Sequence, residues 1–298
     1  MHADDATAKS LRHLIRILVF TGDEALMHQV VENLQDKGYA EIIQARDPDE
    51  LGTTLRLSSV DLLISVSRAD HVFIGHFVRD LRHGLLECHP FPIVMMLLPS
   101  AEVSHVREVI DAGVDDLLVT PLHGDTLTQR LNQFLVDRRP FTVTHDYIGP
   151  NRRLVPRPGT KDAPLVRVPN PVRARAFGQD DNTLQQSLHE AALGLSRIKI
   201  RSDGVQVGWL LENLSSALAE PERDPVTVSD YVSRIAFAAN EISRRAGDRS
   251  SAMVKEQARR VVDSTRAIVF TQELVAEAHI KALVANAQKL TDLIDTKF

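Results

Sequence analysis

The chain has 298 residues, 43% of them hydrophobic and 25% charged, with one cysteine and a net charge of −5. That length predicts about two domains at roughly 100–200 residues each, and the composition is globular rather than disordered. A lone Cys88 excludes an internal disulfide or multi-cysteine zinc site, and with no run near the roughly 20 apolar residues of a membrane span and no apolar core in MHADDATAKS, a cytoplasmic protein is expected.

Leu14–Phe20 is a short run of branched residues and predicts a strand buried on both faces. Leu26, Val30, Val31 and Leu34 then recur at helical spacing, with Gly38 as a stop. Glu41–Ala45 is a second strand, and Asp47 can cap a helix running to about Leu57. Leu62–Val66 is the third strand and Phe77–Leu86 the next helix. Ile93–Leu98 is the fourth strand, and Val103, Val106, Val109 and Ile110 mark a helix ending near Gly113. Asp116–Val119 is the fifth strand, and Leu127, Leu131, Phe134 and Leu135 make the following helix. Five strands alternating with helices predict an α/β, flavodoxin-like, doubly wound parallel sheet. Ligands of such sheets sit outside the carboxyl ends of the strands.

Residues 138–182 differ. Residues 138–178 hold 9 Lys/Arg against 2 Asp/Glu, whereas residues 1–137 hold 11 against 21. Seven of the fourteen prolines fall in the same stretch. Proline removes a donor and pushes its predecessor out of the helical region, so an extended basic connector is expected. Phe141, Val143, Tyr147, Ile148, Leu165 and Val166 give it apolar anchors, so part of it should dock on a domain.

From residue 183 the pattern is helical. Leu184, Leu188, Ala192 and Leu195 predict one helix to about Lys199, capped by Asn182 or Thr183. Val207, Leu210, Leu211, Leu214 and Leu218 predict a second over Val205–Leu218. A third, begun by Thr227 or Ser229, ends at Gly247. Residues 250–298 form either one helix of about 70 Å or two with a tight break, since Val254, Ala258, Val261, Thr265 and Ile268 and then Leu283, Ala287, Leu290 and Ile294 follow a 4-3 rhythm with a phase shift between. That predicts an all-α bundle or helical hairpin, and a single long helix would leave a stripe for a second chain to cover. A homodimer through residues 183–298 is the expectation on that branch. Trp209 reads as a core or interface anchor, and His189 and His279 as ordinary helix residues.

Ala112-Gly113-Val114-Asp115-Asp116-Leu117-Leu118-Val119-Thr120-Pro121 follows the AGADDYLxKP stretch of a known family, with Val114 and Leu117 as apolar replacements and Thr120 in place of the lysine. Together with Arg16–Glu24 and Val60–Val66, this segment resembles the receiver (CheY-like) domain of bacterial response regulators, over roughly residues 13–136. The resemblance implies four working parts. Two acidic residues after the first strand hold Mg²⁺ through oxygen. An aspartate ending the third strand is the nucleophile. A hydroxyl ending the fourth strand contacts the phosphoryl group, and a lysine ending the fifth neutralises it.

This chain departs at each of those positions. The acidic pair falls on Thr21 and Gly22, with Asp23 and Glu24 displaced by one or two. The nucleophile falls on Val66, between Ser65 and Ser67, with Asp70 the nearest carboxylate downstream. The hydroxyl falls on Leu97 or Leu98, and the lysine on Thr120, with Pro121 retained. Asp23 and Glu24 read as helix N-terminal charge, with metal binding there the weaker alternative. A pseudo-receiver is expected: the fold kept for binding, with no phosphoacceptor, no cofactor and no metal.

The connector segment His145-Asp146-Tyr147-Ile148-Gly149-Pro150-Asn151-Arg152-Arg153, and the later Val168-Pro169-Asn170-Pro171-Val172-Arg173, resemble short DYIGPDRR-like and VPNxLR-like pieces that follow receiver-like domains. A docked linker is the first reading. Arg152 and Arg153 are candidate anion-binding residues, with a cyclic dinucleotide one ligand class. Nucleic-acid contact is opposed by the acidic remainder.

The sequence thus predicts a pseudo-receiver over 13–137, a basic connector over 138–182 and a helical interaction domain over 183–298. The resemblance implies that it acts by protein–protein interaction in a bacterial two-component-type pathway, without catalysis. The alternatives are an active phosphorelay regulator and an anion-binding or cyclic-dinucleotide-binding regulator.

Overall fold

The structure is a computed structural model and describes residues 11–66, 71–99, 102–122, 125–153, 164–220, 224–247, 251–269 and 277–298. The chain divides into two compact units: Met1–Thr142 with Tyr147–Ala192, and Val143–Asp146 with Leu193–Phe298. Most of the basic connector therefore belongs to the first unit.

The first unit contains β1 (Ile17–Phe20), α1 (Glu24–Asp36), β2 (Ile42–Ala45), α2 (Pro48–Leu57), β3 (Leu62–Val66), α3 (His71–Arg82), β4 (Ile93–Leu98), α4 (Val103–Asp111), β5 (Asp116–Val119) and α5 (Thr126–Val136). The strands form one parallel sheet in the order β2-β1-β3-β4-β5, the doubly wound arrangement predicted. Every residue of β1, β3 and β4 is buried, because helices cover both faces of a parallel sheet. Val19, Ile64, Val66 and Leu97 pack with α1 and α5 on one face, and Leu18, Leu63, Met96 and Leu98 with α2, α3 and α4 on the other. The third helix differs from the prediction: it spans His71–Arg82, not Phe77–Leu86. Ile74, Phe77, Val78 and Leu81 are its buried apolar residues, and the chain leaves it through Gly84, at φ 63°, a conformation that favours glycine.

The connector is more ordered than an extended linker. Its β6 (Phe141–Val143), β7 (Ile148–Pro150) and β8 (Leu165–Val166) form a small sheet in the order β7-β6-β8. The helix α6 (Pro171–Ala176) follows, capped by Asn170, whose side chain accepts from Arg173 N at 3.0 Å. Proline at the first helical position costs nothing there, because its missing N–H has no intrahelical role.

Two predicted helices are one. The helix α7 runs Asp181–Ala219, through the polar stretch at 199–204. Asp180 caps it, accepting from Thr183 N at 3.0 Å, in place of the expected Asn182 or Thr183. Within that stretch Lys199 and Asp203 are buried and pair one helical turn apart. Lys199 Nζ also donates to the His145 carbonyl at 2.9 Å. Gly204 gives room for Ile294, whose Cδ1 would lie 3.0 Å from a Cβ placed there. Pattern reading took these polar and small residues for a break, whereas they fill the inside of the bundle.

The second unit continues with α8 (Pro225–Arg245), α9 (Ala252–Val269) and α10 (Glu277–Lys297). Asp224, not Thr227 or Ser229, caps α8, accepting from Val226 N and Thr227 N. Residues 252–297 thus hold two helices that pack against each other, with 270–276 outside the described residues. Val254, Ala258, Val261 and Ile268 share a buried cluster with Leu283, Ala287, Leu290 and Ile294. The 4-3 stripe is covered within the chain, which removes the long-helix premise of the dimer expectation. Trp209 is 47% exposed, so it is not a core residue, and Arg234 lies over its ring at 5.7 Å. Among the described residues no helix is long and apolar enough to cross a membrane.

Candidate functional site

The carboxyl ends of β1, β3, β4 and β5 bring together the positions singled out from the sequence. Thr21 follows β1, buried, and its hydroxyl accepts from Asp23 N at 3.2 Å. Asp23 is the N-cap of α1: its carboxylate accepts from Leu26 N at 3.0 Å. Glu24 opens the helix and Gly22 is exposed. The carboxylate at this end of the sheet is therefore engaged with its own helix, where it also offsets the helix dipole.

Val66 ends β3, buried and opposite Leu97 in the register. Leu98, one residue on, is buried on the other face. Thr120 sits beside Leu98: its N–H donates to the Leu98 carbonyl at 2.7 Å and its hydroxyl to the same oxygen at 3.2 Å. Pro121 follows, exposed. Phe20 lies 6.2 Å from Phe73, which lies 6.0 Å from Phe77, so aromatic rings pack alongside the strand ends. Ser65 is fully buried, and among the described residues its hydroxyl has no hydrogen-bond partner. Ser67 and Asp70 lie outside the described residues. Among the described residues no three His, Cys, Asp or Glu side chains converge to hold a metal ion. The side chains of Val66, Leu97 and Leu98 offer neither oxygen ligands nor a charge for a phosphoryl group.

Sequence reasoning missed a second constellation at the opposite end of the sheet. Asp115, just before β5, is buried and accepts four hydrogen bonds. Arg82 donates at 2.7 Å, Arg138 Nε at 2.9 Å, Arg138 Nη2 at 3.0 Å and Val94 N at 2.8 Å. Burial pushes its acidity down, but the Arg138 and Arg82 guanidiniums outweigh burial and hold its pKa below the usual value. The Phe141 ring packs against both, 5.2 Å from Arg82 and 4.9 Å from Arg138. The remaining guanidinium nitrogens reach backbone carbonyls, with Arg82 on Gly113, Pro90 and Pro92 and Arg138 on Phe91 and Pro169.

This constellation seats the connector. Gly113, at φ 96°, lies so close to β7 that an added Cβ would meet the Ile148 carbonyl oxygen at 2.6 Å. Tyr147 donates its hydroxyl to the Pro150 carbonyl at 2.9 Å. Arg152 donates to the Val114 carbonyl at 2.7 Å, while Arg153 is exposed. The candidate anion-binding pair therefore splits, with Arg152 engaged on backbone oxygen and Arg153 facing solvent. In the second connector piece Asn170 donates to the Phe134 carbonyl at 2.6 Å and Arg173 to the Leu135 carbonyl at 2.6 Å. Arg175 reaches the buried Asp61, just before β3, at 3.2 Å and also pairs with Asp181. Burial outweighs those contacts and pushes Asp61 up to about 6. The doublets Asp115-Asp116, Arg138-Arg139 and Arg152-Arg153 were the available signal, because one member of each is buried or engaged and the other is more open.

No family model matches the chain, and no curated protein sequence matches it. Among solved structures, the Vibrio cholerae chemotaxis protein CheY4, crystallised at pH 4.0, is similar at 23% identity. The likeness covers 40% of this chain and 98% of that one, with a TM-score of 0.36. The fold assignment stands on the strand order, not on that likeness.

Proposed function

We propose that this protein is a non-catalytic signalling component of a bacterial two-component-type pathway. Its receiver-like unit binds a partner protein in place of carrying a phosphoryl group. The observation that supports this reading is the apolar strand end: Val66 is buried where a phosphoacceptor would stand, with Leu97 paired to it. The carboxylate of Asp23 supports it too, since it faces its own helix amide. A sheet end built this way can stay packed in one state. A receiver that switches needs the opposite, a charged pocket whose occupancy biases two states.

Incubation of the full chain with acetyl phosphate and Mg²⁺, followed by intact-mass measurement, tests the reading. No phosphoryl adduct is expected, and an adduct on any aspartate overturns it. Val66→Asp is expected to remain unmodified and to lose about 3 kcal/mol of stability, since an unpaired carboxylate enters an apolar site. Phosphorylation of that variant at an unchanged melting temperature would contradict both expectations.

A further inference from the structure

The helical unit leaves one face of α7 uncovered. Val207, Leu210, Leu211 and Leu214 turn into the bundle, so the residues on the opposite side of the helix point outward. Arg201, Val205, Trp209 and Glu212 are on that side, and all four are exposed, Val205 by 69% and Trp209 by 47%. They follow one another at spacings of four, four and three, so they make one row along the helix. Among the described residues no ion pair holds Arg201 or Glu212. The helix α8 widens the face. Its Arg234 lies over the Trp209 ring at 5.7 Å, and Phe237, one turn further along α8, is 68% exposed. A tryptophan with an arginine against it is the kind of anchor that carries binding energy at interfaces.

We propose that this face pairs with the same face of a second copy of the chain, α7 against α7, about a two-fold axis near Val207. The order of charges along the row selects that occupant. A cation begins the row, two apolar residues stand in the middle and an anion ends it. Laid antiparallel on itself, the row sets Arg201 against the partner's Glu212 and Val205 against the partner's Trp209, and the two-fold axis makes each contact twice. The two pairs share one centre to within about 1 Å along the axis, at 1.5 Å per residue. Parallel pairing would set like charges on each other. Opposite charges flanking an apolar contact fix partner and orientation in this way. The mixed signs also oppose an anionic lipid surface, which favours basic polar faces. Over about 20 residues α7 and α8 side by side offer a face of roughly 30 by 18 Å. That is less than the about 800 Å² per partner of a standard interface, so a dimer that dissociates at micromolar concentration is expected. It does not need the apolar stripe of residues 252–297, which is closed within the chain.

The test is sedimentation of the full chain over about 1 to 200 μM, the range that brackets a micromolar dissociation constant. The mass is expected to rise from that of one chain toward that of two. Arg201→Glu and Glu212→Arg, made singly, should each weaken the dimer at least about tenfold, because each sets like charges opposite one another twice. Made together they should restore it to within about threefold. Mixing the two single variants should restore it as well, since opposite charges then meet only in the mixed dimer. Trp209→Ser should weaken it at least about tenfold, and if that variant loses its helices by circular dichroism the charge variants alone are read. The proposal is overturned by a chain that stays monomeric at the highest concentration. A dimer indifferent to the single reversals overturns it too, as does one that the double reversal fails to restore. A monomer that binds anionic vesicles and loses them on Trp209→Ser would assign the face to a lipid surface instead. The acetyl phosphate experiment tests the signalling reading separately, and neither result decides the other.

Discussion

Asp115 in the unit built on the parallel sheet and Asp203 in the helical unit are both buried carboxylates facing buried cations, yet their acidities move in opposite directions. Asp115 is held below its ordinary pKa, whereas Asp203 is pushed up to about 6 by burial, against the pull of Lys199. Donor number makes the difference. Two guanidiniums and a backbone amide use both oxygens of Asp115. Asp203 receives Lys199 on one oxygen, and its other oxygen is buried without a partner. Burial alone therefore says little about a charged group. What matters is how many fixed donors replace the water it lost. Cation type matters as well. Arginine stays charged at any ordinary pH, while lysine gives up its proton when buried, and burial already lowers the pKa of Lys199.

The comparison breaks most visibly if Asp115 is removed. Asp115→Ala strands two buried guanidiniums and should cost about 3–5 kcal/mol. It should also release the connector, seen as lost amide protection at Tyr147 and Arg152 in hydrogen exchange. Asp203→Ala should cost clearly less in urea unfolding, because Lys199 can become neutral. Equal costs would show that donor number and cation type do not decide the matter.

A second prediction separates charge from packing at the same seat. Gly113→Ala removes no arginine but drives a Cβ toward the Ile148 carbonyl oxygen, and to 3.1 Å from Arg82 Cγ, in a positive-φ position. A loss of about 1–3 kcal/mol is expected by thermal melting. No loss would mean that the arginines alone hold the connector.

The smallest effect is one of pH. The folded-state pKa of Asp203, about 6, lies above its unfolded value of 3.8. The folded state thus takes up a proton between pH 6 and 4 that the unfolded chain does not. Asp203's contribution to stability is present below its unfolded pKa and is lost as pH rises through 6. From pH 5 to pH 7 it should cost the helical unit about 1 kcal/mol. Asp203→Asn should flatten that slope in denaturant titrations at the two pH values. An unchanged slope would assign the effect elsewhere, with Asp61 the next buried carboxylate raised to about 6.

The sequence by itself determined the alternating α/β order and the bounds of β3, β4 and β5, because buried strands are short branched runs whose period needs no tertiary partner to be seen. Thr21, Val66, Thr120 and the pair Leu97-Leu98 were placed at or beside strand ends for the same reason, since each strand's run is legible by itself. The cap by Asp23 was legible for a similar reason: a side chain three residues from its amide partner is a local contact. Tertiary structure alone decided the rest. Whether 199–204 breaks a helix depended on Lys199 pairing with Asp203 and on Ile294 closing over Gly204, which is 90 residues away in the chain. Whether 250–298 left an open stripe depended on its two halves covering each other. The connector's place was set by Asp115 meeting Arg138 and Arg82, contacts that span 23 and 33 residues. A buried ion pair is indistinguishable in sequence from two surface charges, because its energy comes from the water excluded around it, and only the folded chain excludes that water.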